Sequence, residues 1–204
     1  QVTAIMVRVA DPLDAILADA RINAVCVGPG FGVGQACREA VAGCLSGVRG
    51  VVLDADALTS FEDAPEELFG LTRGASAVLT PHAGEFRRLF PDLTTDVAGV
   101  AAAAKRSGAV VLLKGDCTLV GRGGGVVAAH NADGQRAAPW LATAGSGDVL
   151  AGMITGLLAR GLAPAEAAEC AVWLHAEVAR RFGPGLIAED LAEGLPGVFR
   201  VLGV

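Results

Sequence analysis

The sharpest chemistry in this 204-residue chain lies in A-G-S-G-D, residues 144–148. Gly145 and Gly147 reach backbone angles that other residues resist, so the successive N–H groups of 145–148 can turn into one concavity. The apolar run that follows reads as a helix over 146–160. That sets the concavity at a helix N-terminus, where backbone donors and the helix dipole favour an anion. Asp148 falls in the first turn, where the dipole also favours its charge. A carboxylate beside an anion hole is the arrangement that activates a hydroxyl toward a phosphoryl group. The competing reading is a glycine-rich helix start with a capping aspartate.

Four more stretches carry candidate chemistry. G-P-G-F-G (28–32) lets backbone approach a ligand closely and exposes N–H groups ahead of a helix, which suits an anion or a sugar–phosphate; a plain tight turn is the alternative. L-D-A-D-A-L (53–58) places Asp54 and Asp56 one residue apart, able to bind a hydrated cation, hold a loop or cap a helix. T-P-H-A-G-E (80–85) offers His82 to a ligand ring and Glu85 to a metal-bound water. K-G-D-C-T (114–118) offers Lys114, one of two lysines in the chain. At the end of an apolar strand it should be solvated or paired with phosphate, with Thr118 as a hydroxyl contact.

The elements that must position these residues alternate. Short Val/Leu runs at 24–28, 51–54, 76–80 and 109–114 read as buried strands. Helical patterns at 11–20 (with Asp11 as N-cap), 34–45, 65–71, 85–90 and 95–107 separate them. Residues 119–130 read as a hairpin turning on G-R-G-G-G, then two long helices at 146–160 and 164–182, and a finish split into 187–195 and 197–202 around Pro196. Continuous apolar strands separated by helices predict a mostly parallel sheet covered on both faces with an antiparallel edge hairpin. Ligands gather at the carboxyl ends of such strands, and four of the five stretches sit there.

Composition agrees with one well-cored domain: 52% hydrophobic residues and a net charge of −6. The scattered Arg residues and mild acidity argue against nucleic acid as principal partner. No apolar stretch approaches the roughly 20 residues of a membrane span, and no signal peptide opens the chain. Five cysteines without a CxxC pair read as small buried hydrophobes in a reducing cytosol.

Taken in order, GPGFG, VVLDADAL, LTPHAGEFRRL, VVLLKGDCTLV, ATAGSGDVLAGMITGLLARGL, AAECAVWLHAEVARRFG and LIAEDLAEGLP closely resemble the ADP- or ATP-dependent NAD(P)H-hydrate dehydratases. These form the carbohydrate-kinase-like domain of the YjeF type, within the ribokinase-like superfamily. The resemblance runs from about Asn23 to Pro196. It implies a ribokinase-like α/β fold and a cytoplasmic repair lyase. The S epimer of hydrated NADH or NADPH would be phosphorylated on its ring hydroxyl with ADP or ATP and Mg²⁺, and phosphate eliminated to restore the dinucleotide. Asp148 would accept the hydroxyl proton and bind substrate. Gly145, Ser146 and Gly147 would form the anion hole, with Gly147 near the nucleotide. Lys114, Gly115, Asp116, Cys117 and Thr118 would line the phosphate and nucleotide site. Gly30 and His82 would contact the hydrated dinucleotide, Glu85 would lie near the metal-bound water, and Asn131 would support the GSGD loop. A fused or partner epimerase domain and a homo-oligomer, tetramer or larger, are further expectations.

The sequence departs from the family pattern at its start. The glycine-rich opening segment and its Ala-rich helix are missing ahead of GPGFG, so residues 1–204 are expected to form a single domain lacking N-terminal strands of the fold. Ala83 replaces a common proline. Two other readings stand: an alcohol kinase of the thiazole or pyrimidine type, which would stop at the phosphorylated product, and a non-catalytic nucleotide-binding protein.

Overall fold

The computed structural model describes residues 13–131 and 137–203. Six strands form one sheet in sequential order: β1 Ala24–Val27, β2 Gly50–Leu53, β3 Ala77–Leu79, β4 Val110–Leu113, β5 Cys117–Arg122 and β6 Val126–Asn131. β1 to β4 run parallel, and β5 and β6 are antiparallel. The expected mostly parallel sheet with an edge hairpin is therefore present, and its turn falls on residues 123–125 between β5 and β6. The parallel register aligns the strand ends. Val27 sits opposite Leu53, Leu53 opposite Leu79, and Leu79 opposite Val111.

The period of two along each strand sorts the side chains into two cores. Val51, Leu53, Leu79, Val111 and Leu113 face one side, where they pack with Phe61, Phe69, Phe86 and Phe90. Helices α2 Gln35–Leu45, α3 Asp56–Thr59, α4 Pro65–Thr72, α5 Ala83–Leu89 and α6 Val97–Ser107 cover that side. Sequential parallel strands joined by crossovers of one hand put all these helices on one face. Val52, Val78, Val110, Leu112 and Val120 face the other side. There they meet α7 Ser146–Ala159, α8 Pro164–Phe182 and α9 Ala188–Leu202. Both faces are thus covered, by two groups of helices that are consecutive in the chain. A short helix, α1 Leu13–Leu17, lies before β1, with Leu13 and Leu17 against the first core. Asp11, the expected N-cap, is outside the described residues.

Three local expectations change. The sequence predicts a break at Pro196, but α9 continues through it. Proline removes one backbone donor from the ladder and crowds the preceding turn, and the buried Leu191 and Val198 on either side anchor both halves to α7 and α8. The turn after β2 contains α3, which the apolar periodicity did not reveal. Of the cysteines only Cys37 and Cys44 are buried, while Cys26, Cys117 and Cys170 are exposed. The first two lie on the sheet-facing side of α2, seven residues apart, and pack in the first core.

Candidate active site

The ends of β1 and β2 nearly touch. A Cβ on Gly28, whose φ is +134°, would stand 1.7 Å from the Asp54 carbonyl oxygen, so only glycine fits. The chain then turns through Pro29 and Gly30, with Phe31 N–H donating to the Gly28 carbonyl at 2.9 Å. Proline followed by a glycine at φ +67° is the type II turn pattern. Gly32 N–H donates to Asp56 Oδ2 at 2.8 Å and Gly34 N–H to Ser60 Oγ at 3.1 Å. These two N–H groups are therefore committed to the turn after β2 and are not open to an anion. Gly30 remains at the exposed tip of the loop. Neither Asp54 nor Asp56 caps α3, whose N-cap is Ala55; Asp56 holds the glycine loop instead.

Asp54 is 1% exposed. Its Oδ1 accepts from Lys114 Nζ at 2.7 Å and from Ala55 N–H at 3.0 Å, while Oδ2 has no partner. The Asp54 carbonyl accepts from Ala57 N–H at 3.0 Å. That closes a tight turn with Ala55 at φ 46°, ψ −116°, a conformation glycine prefers and one that stores strain. Lys114 is thus neither solvated nor waiting alone for phosphate; a carboxylate from a neighbouring strand already faces it.

His82 and Lys114 pair across the ends of β3 and β4, with Lys114 N–H donating to the Pro81 carbonyl at 2.9 Å. His82 is the N-cap of α5: Nδ1 accepts from Gly84 N–H at 2.9 Å and Glu85 N–H at 3.2 Å. Glu85 Oε2 returns the contact by accepting His82 N–H at 2.8 Å, a reciprocal capping box. Glu85 is buried and its Oε1 lies 3.5 Å from His82 Nε2. Its nearest partners are therefore protein groups. Among the described residues no three His, Cys, Asp or Glu side chains converge to hold a metal ion.

Helix α7 starts at Gly145, left-handed at φ 83°, with no side-chain cap. Asp148 lies in the first turn as expected and is not the cap, which removes the competing reading of that residue. Ser146 Oγ donates to the Leu141 carbonyl at 2.7 Å, and the Ser146 carbonyl accepts from His175 Nε2 at 2.9 Å. Burial holds His175 down to about 4, so at neutral pH it is an uncharged donor to this turn. A Cβ placed on Gly147 would lie 3.4 Å from Lys114 Nζ. The ammonium therefore reaches from the sheet end to the α7 N-terminus.

A cleft of about 560 Å³ opens beside this point, lined by Lys114, Gly115, Asp116, Thr118, Ser146 and Gly147 together with Pro139, Leu141, Leu150 and His175. A second hollow of about 300 Å³ adjoins it across Gly115, Asp116 and Thr118 and adds Val172 and Trp173. Of the residues singled out in sequence, Cys117, Gly145, Asp148, Gly30, His82 and Glu85 do not line the first cleft. Asp148 lies toward β1 and β2: the Cys26 thiol on β1 belongs to a residue with exposed surface, yet its sulfur is largely desolvated by the surrounding protein, which pushes it up to about 11, with the Asp54 and Asp148 carboxylates adding to the rise. Lys114 and the first turn of α7 therefore stand between the cleft and the Asp148 side. Asn131 ends β6, and its side chain is outside the described residues. Sequence reasoning did not identify Asp54 as the partner of Lys114, nor His175 as a support for the α7 turn. Their partners lie 60 and 29 residues away in the chain.

A family model described as NAD(P)H-hydrate dehydratase matches residues 2–193. The bifunctional NAD(P)H-hydrate repair enzyme Nnr of Mycobacterium tuberculosis strain H37Rv is 46% identical over 162 residues, 78% of this chain and 33% of that protein. The ADP-dependent (S)-NAD(P)H-hydrate dehydratase of Neisseria meningitidis serogroup B is 39% identical over 196 residues, 89% of this chain and 64% of that protein. The chain spans about a third of the length of the bifunctional relatives it matches. Among solved structures, the ADP/ATP-dependent NAD(P)H-hydrate dehydratase of Bacillus subtilis, co-crystallised with ATP/Mg²⁺ and soaked with CoA, superposes with a TM-score of 0.71 at 28% identity. It covers 87% of this chain and 66% of that one. A ribokinase-like superfamily protein from Enterococcus faecalis shares the fold at a TM-score of 0.74 and 22% identity.

Proposed function

The chain belongs to the NAD(P)H-hydrate dehydratase family, and from that premise we propose that it restores NADH or NADPH from the S epimer of its hydrate at the expense of ADP or ATP. The observation that carries the reading is the meeting of three groups at one place. The Lys114 ammonium, the Gly147 backbone and the first turn of α7, which no side chain caps, adjoin a cleft on one side and the Asp148 carboxylate on the other.

In this reading the nucleotide phosphates lie in the cleft, along Lys114, Gly115, Asp116 and Thr118. The hydrated ring lies on the Asp148 side, within reach of Gly30 and His82. Asp148 takes the proton of the ring hydroxyl as its oxygen attacks the terminal phosphoryl group. Gly145 and Gly147 direct N–H groups at the charge that develops on that group, while the Ser146 N–H, which donates to the Thr143 carbonyl at 3.3 Å, holds the turn in shape. The phosphate ester is then a good leaving group: the ring nitrogen supplies the electron pair, the C–O bond breaks, a ring proton is lost and the double bond returns. Mg²⁺ would come with the nucleotide and neutralise phosphate charge, held chiefly by phosphate oxygens and water as this ion prefers. Asp116, exposed in the cleft, is the carboxylate placed to assist. Glu85, whose oxygens already serve His82, would add only a water-bridged contact.

The names of the bifunctional relatives support a companion epimerase activity on the same chain or a partner. Exposed Phe182 and Ile187, where α8 ends and α9 begins, and exposed Val201 and Leu202 at the C-terminal end of α9 support self-association, as expected for a homo-oligomer of four or more copies. Among the described residues no helix is long and apolar enough to cross a membrane, and the substrates support a cytoplasmic site of action.

The test supplies hydrated NADH with ADP or ATP and follows two signals, the return of reduced-nicotinamide absorbance and the release of inorganic phosphate. Both should rise together, one for one. A stable phosphoester without absorbance recovery would instead establish a kinase, and no reaction would reject the proposal.

A further inference from the structure

We propose that Asp54 is a positioning residue that aims the Lys114 ammonium at the phosphate path and keeps it off Asp148. The inference rests on the phosphoryl-transfer reading above and adds a residue that reading does not use.

Asp54 is fixed on every side. Its N–H donates to the Val27 carbonyl at 3.1 Å, and its carbonyl closes the turn to Ala57 at 3.0 Å and blocks any side chain at residue 28. The strained Ala55 at φ 46° follows from that turn. The carboxylate therefore has one place to be, 2.7 Å from Lys114 Nζ, and Oδ2 is buried without a partner. Lys114 is the cation that compensates this buried charge.

Lysine, by contrast, is a point charge on a four-carbon flexible stem. Released, it would sample the cleft and the nearby Asp148 carboxylate, and a lysine paired with Asp148 would neutralise the base. Lys114 pairs with Asp54 instead, leaving two of its three N–H bonds for the cleft beside Gly147. The cost falls on ground-state binding, because a carboxylate beside the lysine cancels part of its attraction for phosphate. Asp54 should therefore act with opposite signs on two measurable quantities. It weakens nucleotide binding, and it raises turnover by holding the ammonium and the base in separate, productive places.

The experiment compares the full-length chain with Asp54→Asn, which keeps an oxygen acceptor of the same shape but no charge. ADP binding is titrated by tryptophan fluorescence, since Trp173 lines the adjoining hollow, and kcat is measured with hydrated NADH. The expected result is ADP affinity tightened about threefold with kcat lowered about a hundredfold. Weaker ADP binding, or an unchanged kcat, overturns the proposal.

Should Asp54→Asn not fold, the neutral pair Asp54→Asn with Lys114→Met removes both buried charges at once and is compared with Lys114→Met alone. A residue that acts only through the lysine adds no further loss of kcat; a multiplied loss overturns the proposal. Should the wild-type chain fail to turn over hydrated NADH, the reaction proposed above fails. The sign of the change in ADP affinity then decides the role of Asp54 by itself.

Discussion

The two faces of the sheet are built from different materials. Phe61, Phe69, Phe86 and Phe90, all fully buried, belong to the crossover face, with Phe69 and Phe90 stacked at 4.9 Å. Ion pairs lace its rim: Arg38 meets Asp63 and Glu67, Arg88 meets Glu62 at 2.8 Å, and Arg106 meets Asp92 at 2.7 Å. The C-terminal face packs on alanines instead, among them Ala151, Ala167, Ala168, Ala171 and Ala179. Small side chains let α7 and α8 approach the sheet and each other closely, but they bury little area each. The crossover face therefore holds the strand ends rigid. The C-terminal face carries the glycine turn of α7, seated by a few directed hydrogen bonds from His175 and Ser146.

Three substitutions sharpen or break that contrast. The largest effect is expected at Asp148→Asn, on the C-terminal face: turnover of hydrated NADH falls about a thousandfold or more, while ADP affinity and Tm stay as in the wild type. Retained turnover would remove Asp148 as the base. Next comes Phe90→Ala on the crossover face, which deletes a ring packed against both Phe69 and Phe86. Urea unfolding should show a loss of about 3–5 kcal/mol, with ADP affinity unchanged in the fraction that remains folded. A loss below about 1 kcal/mol would mean that the aromatic cluster is not the support described here.

The third is a pH effect at His175→Gln. The His175 imidazole has its folded pKa depressed from 6.5 to about 4. As pH falls through 6.5 the unfolded chain takes up a proton that the folded chain refuses, so stability is lost progressively down to about pH 4. One such group accounts for about 3 kcal/mol across the window. Urea titrations at neutral and acid pH should show that slope in the wild type and a shallower one in the glutamine variant. Equal slopes would place the acid sensitivity elsewhere.

Much of the frame was legible because its signals are local. Val51-Val52-Leu53 and Val110-Val111-Leu112-Leu113 read as buried strands from their own composition, and the glycines at 123–125 marked the hairpin turn. Gly145 and Gly147 marked the start of α7, because a left-handed residue and a bare backbone leave a compositional trace. What was not legible is pairing at a distance. Nothing in the spacing of Asp54 and Lys114 says that β2 and β4, separated by β3, end with a carboxylate and an ammonium in contact. His175 falls within the helix expected over 164–182 with no local mark of its own, and its role depends on α8 crossing the first turn of α7. Pro196 misled in the other direction. A local breaker was outweighed by the burial of Leu191 and Val198, which a single-residue rule does not count.

The capping box at the start of α5 has one more consequence, for the tautomer of His82. Two backbone N–H groups point at Nδ1, so that nitrogen must offer its lone pair, and the ring proton of the neutral imidazole sits on Nε2. Glu85 Oε1, 3.5 Å away, is too distant to hold that proton firmly. The neutral His82 therefore presents itself to a ligand as a donor of fixed direction. It can grip an oxygen of a bound molecule, but at Nε2 it has no lone pair with which to take a proton, which is consistent with Asp148 rather than His82 as the base of the proposed reaction.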